Sequence, residues 1–137
     1  MGSEPAKPQA AVKSFRDLEA WKACRKVRQS IFALAQKLPT QEKYRLADQL
    51  IRASRSATAN LAEGYGRYHY RETIQFCRQA RGSLYELRDH PTTARDCQYI
   101  TEKSFAEQEK QALDAMRLVN GFVRYLRGRR AGVKTAG

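Results

Sequence analysis

Two histidines, His69 and His90, and three cysteines, Cys24, Cys77 and Cys97, are the side chains of this 137-residue chain best suited to acid–base, nucleophilic or metal chemistry. Their spacing supports none of these. No C-x-x-C pair or Cys/His pairing of the kind a tetrahedral zinc site needs is present, so neither a metal nor another cofactor is expected. Each cysteine fits a helix as a small apolar residue, and a disulfide framework is not expected. Ser83, Asp89 and His90 have the residue types of a hydrolytic triad, but residues one apart on a helix point away from each other. Gly82-Ser83 also lacks the flanking glycine of a nucleophile elbow. Small helical ribonucleases often follow an Arg with a His four to six residues later. Here Arg67-Tyr68-His69 and Arg88-Asp89-His90 are too tightly spaced. Neither G-x-x-x-x-G-K nor H-E-x-x-H occurs, and the histidines read as solvent-facing or loop residues. The chain is expected not to be an enzyme.

Arginine carries the positive signal. Lys and Arg number 26 against 14 Asp and Glu, a net charge of +12, and 17 of the cations are Arg. The guanidinium fork matches phosphate oxygens, so an Arg-weighted excess points to a polyanionic partner. The excess is local: six cations face two carboxylates over residues 15–39, and residues 124–137 hold five cations and no carboxylate. Lys22, Arg25, Lys26 and Arg28, with Arg124, Arg127, Arg129, Arg130 and Lys134, are therefore the first candidates for phosphate contact. A second group recurs by sevens: Arg71 and Arg78, then Arg81, Arg88 and Arg95, with Tyr85 in the same row. Such a stripe either tracks a phosphate backbone or pairs with Glu72, Glu86, Asp89 and Asp96 within its helix; the sequence leaves both open. Tyr65, Tyr68, Tyr70 and Tyr85 could stack on exposed bases.

Helices must position these groups. Cys24, Val27, Ile31, Leu34 and Leu38 form one apolar stripe, extended by Leu18 and Trp21, with Ser14 and Asp17 as its cap and Pro39-Thr40 as its end. A second pattern runs through Ala47, Leu50, Ser54, Ala57 and Leu61 and closes at Gly64. Its small-residue stretch, residues 53–60, should lie deeply buried against a neighbour, and offers a surface for self-association. A third takes Ile74, Cys77, Ala80, Leu84 and Leu87 and resumes in phase at Ala94, with a kink at Pro91. A fourth takes Phe105, Ala112, Met116, Val119, Val123 and Leu126, with Ser104 and Glu107 as a capping box. The expected fold is all-α, an antiparallel up-down-up-down four-helix bundle over residues 14–128, flanked by loose segments at 1–13 and 129–137. At the turn between helices two and three, Gly64 is expected to take a left-handed conformation and Gly66 to permit a tight turn. Asn60 and Glu63 are expected to be hydrogen-bonded structural residues. The longest apolar run, residues 31–35, is far short of the ~20 that span a bilayer, and no secretory signal opens the chain. A cytoplasmic protein without a membrane partner is expected.

The string from Arg52 to Arg67, ending Asn60-Leu61-Ala62-Glu63-Gly64-Tyr65-Gly66-Arg67, is followed by Phe76 to Ala80 and by Gly82-Ser83-Leu84-Tyr85-Glu86-Leu87. In that order they resemble bacterial four-helix-bundle proteins encoded in intervening sequences of large-subunit ribosomal RNA genes, often labelled ribosomal-protein-like. Related bundles are accessory variability determinants beside the reverse transcriptase of diversity-generating retroelements. The resemblance covers about residues 15–127. It implies a homo-oligomeric bundle, typically a pentameric barrel, with a basic surface and RNA or DNA as partner, and a reverse transcriptase as a further partner. Pro91 stands where the family pattern usually has Leu, and residues 95–100 lack its commoner apolar-Gly-Tyr turn. The reading reached is a non-enzymatic, oligomeric nucleic-acid-binding accessory protein. Its alternatives are a scaffold for an acidic protein partner and a small metal-free nuclease whose site forms across subunits.

Overall fold

The structure is a computed structural model that describes residues 12–136, with side chains from 12 to 129. Four helices, α1 (Glu19–Gln36), α2 (Leu46–Tyr65), α3 (Tyr70–Asp96) and α4 (Glu102–Ala136), form an all-α bundle with no strand among the described residues. α4 has no break at residue 128, and Arg130 and Lys134 fall beyond the described side chains. No described helix is long and apolar enough to cross a membrane.

The three-and-four spacing is what builds the core. Cys24, Val27 and Ile31 of α1, Leu50, Ala57 and Leu61 of α2, Cys77, Leu84 and Leu87 of α3 and Val119 of α4 are all essentially inaccessible to solvent. Burial pushes the Cys24 and Cys77 thiols up to about 12, so neither is a thiolate near neutral pH. Ala57 is wholly enclosed within the chain, whereas Ala59 is exposed. Only the outer side of the small-residue stretch is therefore open to another molecule.

Helix ends depart from the sequence reading in four places. Ser14 and Asp17 do form a capping box, but on a separate 3₁₀ turn (Phe15–Asp17); extended backbone at Leu18 then restarts the chain as α1. Pro39 precedes another 3₁₀ turn (Thr40–Glu42), whose Glu42 carboxylate accepts from the Leu46 amide at 3.3 Å and caps α2. At α4, Thr101 rather than Ser104 is the cap: its Oγ1 accepts from the Ser104 amide at 3.0 Å. Gly64 is not left-handed either. It lies inside α2, which closes at Tyr65 with Gly66 as a right-handed C-cap. Gly64 serves close packing: a Cβ there would stand 2.6 Å from Phe76 Cβ, and the Thr73 hydroxyl donates to its carbonyl at 2.9 Å. α2 and α3 cross where no side chain separates them.

Pro91 is buried in the interior of α3, and the helix runs through it unbroken. One turn later α3 ends in a Schellman motif. Gln98 takes φ 63°, its amide donates to Arg95 O at 2.8 Å, and the Tyr99 amide donates to Ala94 O at 2.9 Å. Gln98 thus takes the left-handed position that glycine most often fills in such a cap.

Candidate nucleic-acid interface

Contacts between connections sort the helix termini. The Tyr99 hydroxyl, between α3 and α4, donates to Glu42, between α1 and α2, at 2.9 Å, so these two connections share one end of the bundle. At the other end, residues before and within early α1 meet late α2, and Tyr70 at the start of α3 lies beside Arg129 of α4. Tyr70 and the nearby Tyr125 ring, 5.8 Å from the guanidinium, favour the charged form of Arg129. The carboxylates Glu42, Asp96 and Glu102 lie in or beside the first pair of connections. Lys22, Arg25, Arg71, Arg127 and Arg129 lie toward the opposite end.

Along α1 and α2 at the basic end runs an open groove of about 910 Å³. Its walls carry Arg16, Lys22, Arg25, Arg28 and Arg55, its head carries Phe15 and Trp21, and its floor is Thr58, Ala59 and Ala62. No carboxylate lines it. Phe15 and Trp21 meet edge to face with centroids 5.3 Å apart, and the Arg16 guanidinium lies 4.6 Å from the Phe15 ring centre. Arg28 donates to Thr58 Oγ1 at 2.9 Å, which ties the two helices together beneath the groove. Lys22 pairs with Glu19 at 3.3 Å on the exposed surface, a contact worth little in water. Arg16, Arg25, Arg28 and Arg55 form no ion pair among the described residues; Lys26 is exposed next to them on α1. Sequence reasoning found Lys22, Arg25 and Arg28 but not Phe15, Arg16, Trp21 or Arg55. Trp21 read only as an extension of the apolar face, and Arg55 stood among small residues.

The arginines of α3 divide into two sets. Arg71 and Arg78 are exposed and line a smaller cleft of about 390 Å³ with Arg127 of α4. Glu72 is the one acid in its lining. Arg81, Arg88 and Arg95 instead turn toward α4. Arg81 donates to Asn120 at 2.9 Å, Arg88 grips both oxygens of Glu109 at 2.8 to 3.2 Å, and Arg95 covers the Phe105 ring at 3.9 Å with Glu102 3.8 Å away. The pairing partners lie mostly on the neighbouring helix rather than within α3. Arg124 is exposed further along α4.

The turn residues act as supports. Asn60 donates to the carbonyl and hydroxyl of Ser56, and Ser83 bonds the same hydroxyl from α3 at 2.9 Å. Glu63 is exposed rather than buried, and holds Arg67 at 2.7 Å while Arg67 lies over Phe76 at 4.8 Å. The three residues of the hydrolytic pattern are not assembled: Ser83 faces Ser56, Asp89 is exposed, and His90 lies 3.9 Å from Glu86. His69 is exposed against Tyr68. No group of three or more potential metal ligands occurs among the described residues. Of the candidate stacking rings, Tyr68 is 91% and Tyr85 54% exposed, while Tyr65 and Tyr70 are half-buried.

No curated protein matches the chain. A family model does, over residues 16–121, a span that takes in the α1–α2 groove apart from Phe15, both arginine sets of α3 and the Ser56, Asn60 and Ser83 network. With that span covering most of a four-helix chain, the protein belongs to the 23S rRNA-intervening sequence protein family.

Proposed function

We propose that this protein is a non-enzymatic accessory factor that binds nucleic acid, RNA foremost, through the basic end of its bundle. One observation carries the reading: toward that end cations line two helix seams, α1–α2 and α3–α4, on opposite sides of the bundle, and of these cations only Lys22 has an ion-pair partner among the described residues. Arg88 and Arg95, farther toward the other end of α3, are instead held by Glu109 and Glu102 of α4. Phosphate contact needs cations that are free to exchange counterions, and the first set qualifies where Arg88 and Arg95 do not. The family's link to ribosomal RNA supports RNA as the ligand.

The assembly belongs to the same proposal. The paired contacts of α3 with α4, in which Arg81 meets Asn120 and Arg88 meets Glu109, support an up-down-up-down course of the helices. Family resemblance supports five such bundles in a barrel, acting in the cytoplasm, with a retroelement reverse transcriptase as the further protein partner. Repetition of a modest basic surface around a ring raises affinity through avidity without any new contact.

The test compares wild-type binding to a structured RNA, a duplex DNA and poly-glutamate at one ionic strength, with gel analysis of the RNA afterwards. Tight binding of intact RNA and no capture of poly-glutamate is expected. Equal binding of poly-glutamate would favour the scaffold for an acidic partner, and shortened RNA would favour the nuclease.

A further inference from the structure

The groove between α1 and α2 has more than charge. At its head stand two aromatic rings, Phe15 and Trp21, and along it lie Arg16, Lys22, Arg25 and Arg55. Its floor is kept low by Ala59 and Ala62. A duplex presents its phosphates outward and hides the faces of its bases, so a recessed aromatic site flanked by guanidinium groups gains nothing from double-stranded ligands beyond charge. A single strand exposes both groups at once, and base–aromatic stacking works with any base because every base has a π-face. We propose that this groove seats a single-stranded nucleic acid, one base stacking at Phe15 and Trp21 while the flanking phosphates lie on Arg16, Lys22, Arg25 and Arg55.

The geometry gives each part a task. Arg16 already lies over the Phe15 ring, so it can hold a phosphate beside a stacked base without leaving the site. Arg28, fixed to Thr58, is a positioning residue that sets the width between the helices. The capping box of the Phe15–Asp17 turn fixes the aromatic head relative to α1. The adjoining stretch of the same seam carries Phe32, 49% exposed, with Gln29 and Ile51, and offers a second apolar surface to the next nucleotide.

This inference rests on the nucleic-acid reading, and the experiment separates the two. Trp21 is the only tryptophan, so its fluorescence reports the groove directly in the unaltered protein. An unstructured oligouridylate and a duplex of the same length are titrated against wild type, Trp21→Leu and Ala62→Leu, with thermal melting of each variant as a fold control. The single strand should quench Trp21 and the duplex should not. Trp21→Leu should weaken single-strand binding by about 5- to 150-fold, the contribution of one stacked base, and leave duplex binding unchanged. Ala62→Leu, which raises the floor but keeps every ring and charge, should reduce single-strand binding in the same direction. Unquenched Trp21 at saturating single strand, or equal losses for strand and duplex in the variants, would overturn the groove assignment while leaving nucleic-acid binding intact. Absence of binding to either ligand would overturn the broader reading.

Discussion

At Gly64 and Gln98 the chain uses residues whose roles are set by space and by backbone conformation respectively. Gly64 has an ordinary helical backbone, yet a methyl group there would press on Phe76 at 2.6 Å, and Phe76 Cβ cannot swing aside as a side-chain tip could. Gly64→Ala should therefore force α2 and α3 apart and cost about 1–3 kcal/mol, read as a lower melting temperature. Gln98 is the converse, a side chain held at φ 63°, where Gly has no steric penalty. Gln98→Gly should raise stability by ~1 kcal/mol in denaturant unfolding. Asp17 adds a pH signature. Its carboxylate accepts from the Lys13 and Ser14 amides, which hold it below the ordinary aspartate range. The folded value lies below the unfolded one, so the cap contributes fully above the unfolded value and is lost as pH falls through the folded one. Because Phe15 in that turn packs on Trp21, tryptophan fluorescence should change as pH falls below the ordinary aspartate range of about 4 in wild type and not in Asp17→Asn.

At the scale of the helix, apolar periodicity was readable because it depends only on a helix's own pitch. Cys24, Val27 and Ile31 are spaced for one face and all three are buried there. Caps were less readable, since Ser14 and Ser104 have the right residue type about one turn from where the helix really starts, and Gly64 stands two residues before the C-cap. The fate of the α3 stripe could not be read at all from α3: whether Arg88 is free depends on Glu109, 21 residues away on another helix. The groove was half legible, because its cations announce themselves by charge whereas its rings look like core residues until the 3₁₀ turn lifts Phe15 beside Trp21. The division of the stripe is itself testable. Arg88→Met should lower stability by about 1 kcal/mol, the worth of a part-exposed bidentate pair, with nucleic-acid affinity unchanged. Arg71→Ala with Arg78→Ala should leave the melting temperature within about 2 °C and weaken binding.

Across the whole molecule, sequence charge becomes spatial polarity. Carboxylates near the α1–α2 and α3–α4 connections offset most of the cations there, and the larger positive excess lies toward the opposite end. A field so placed orients a polyanion toward one end of the bundle, and it acts on any sequence because phosphates position a protein without specifying a base. The most direct measurement of this claim is the salt dependence of RNA affinity for wild type and for the Arg71→Ala, Arg78→Ala double variant. The slope of log K against log salt should be steep and should fall by about 0.7 per arginine removed on a single strand, or about 0.9 on a duplex. A slope near zero in wild type, or one that Arg88→Met changes as much as the double variant does, would contradict the account.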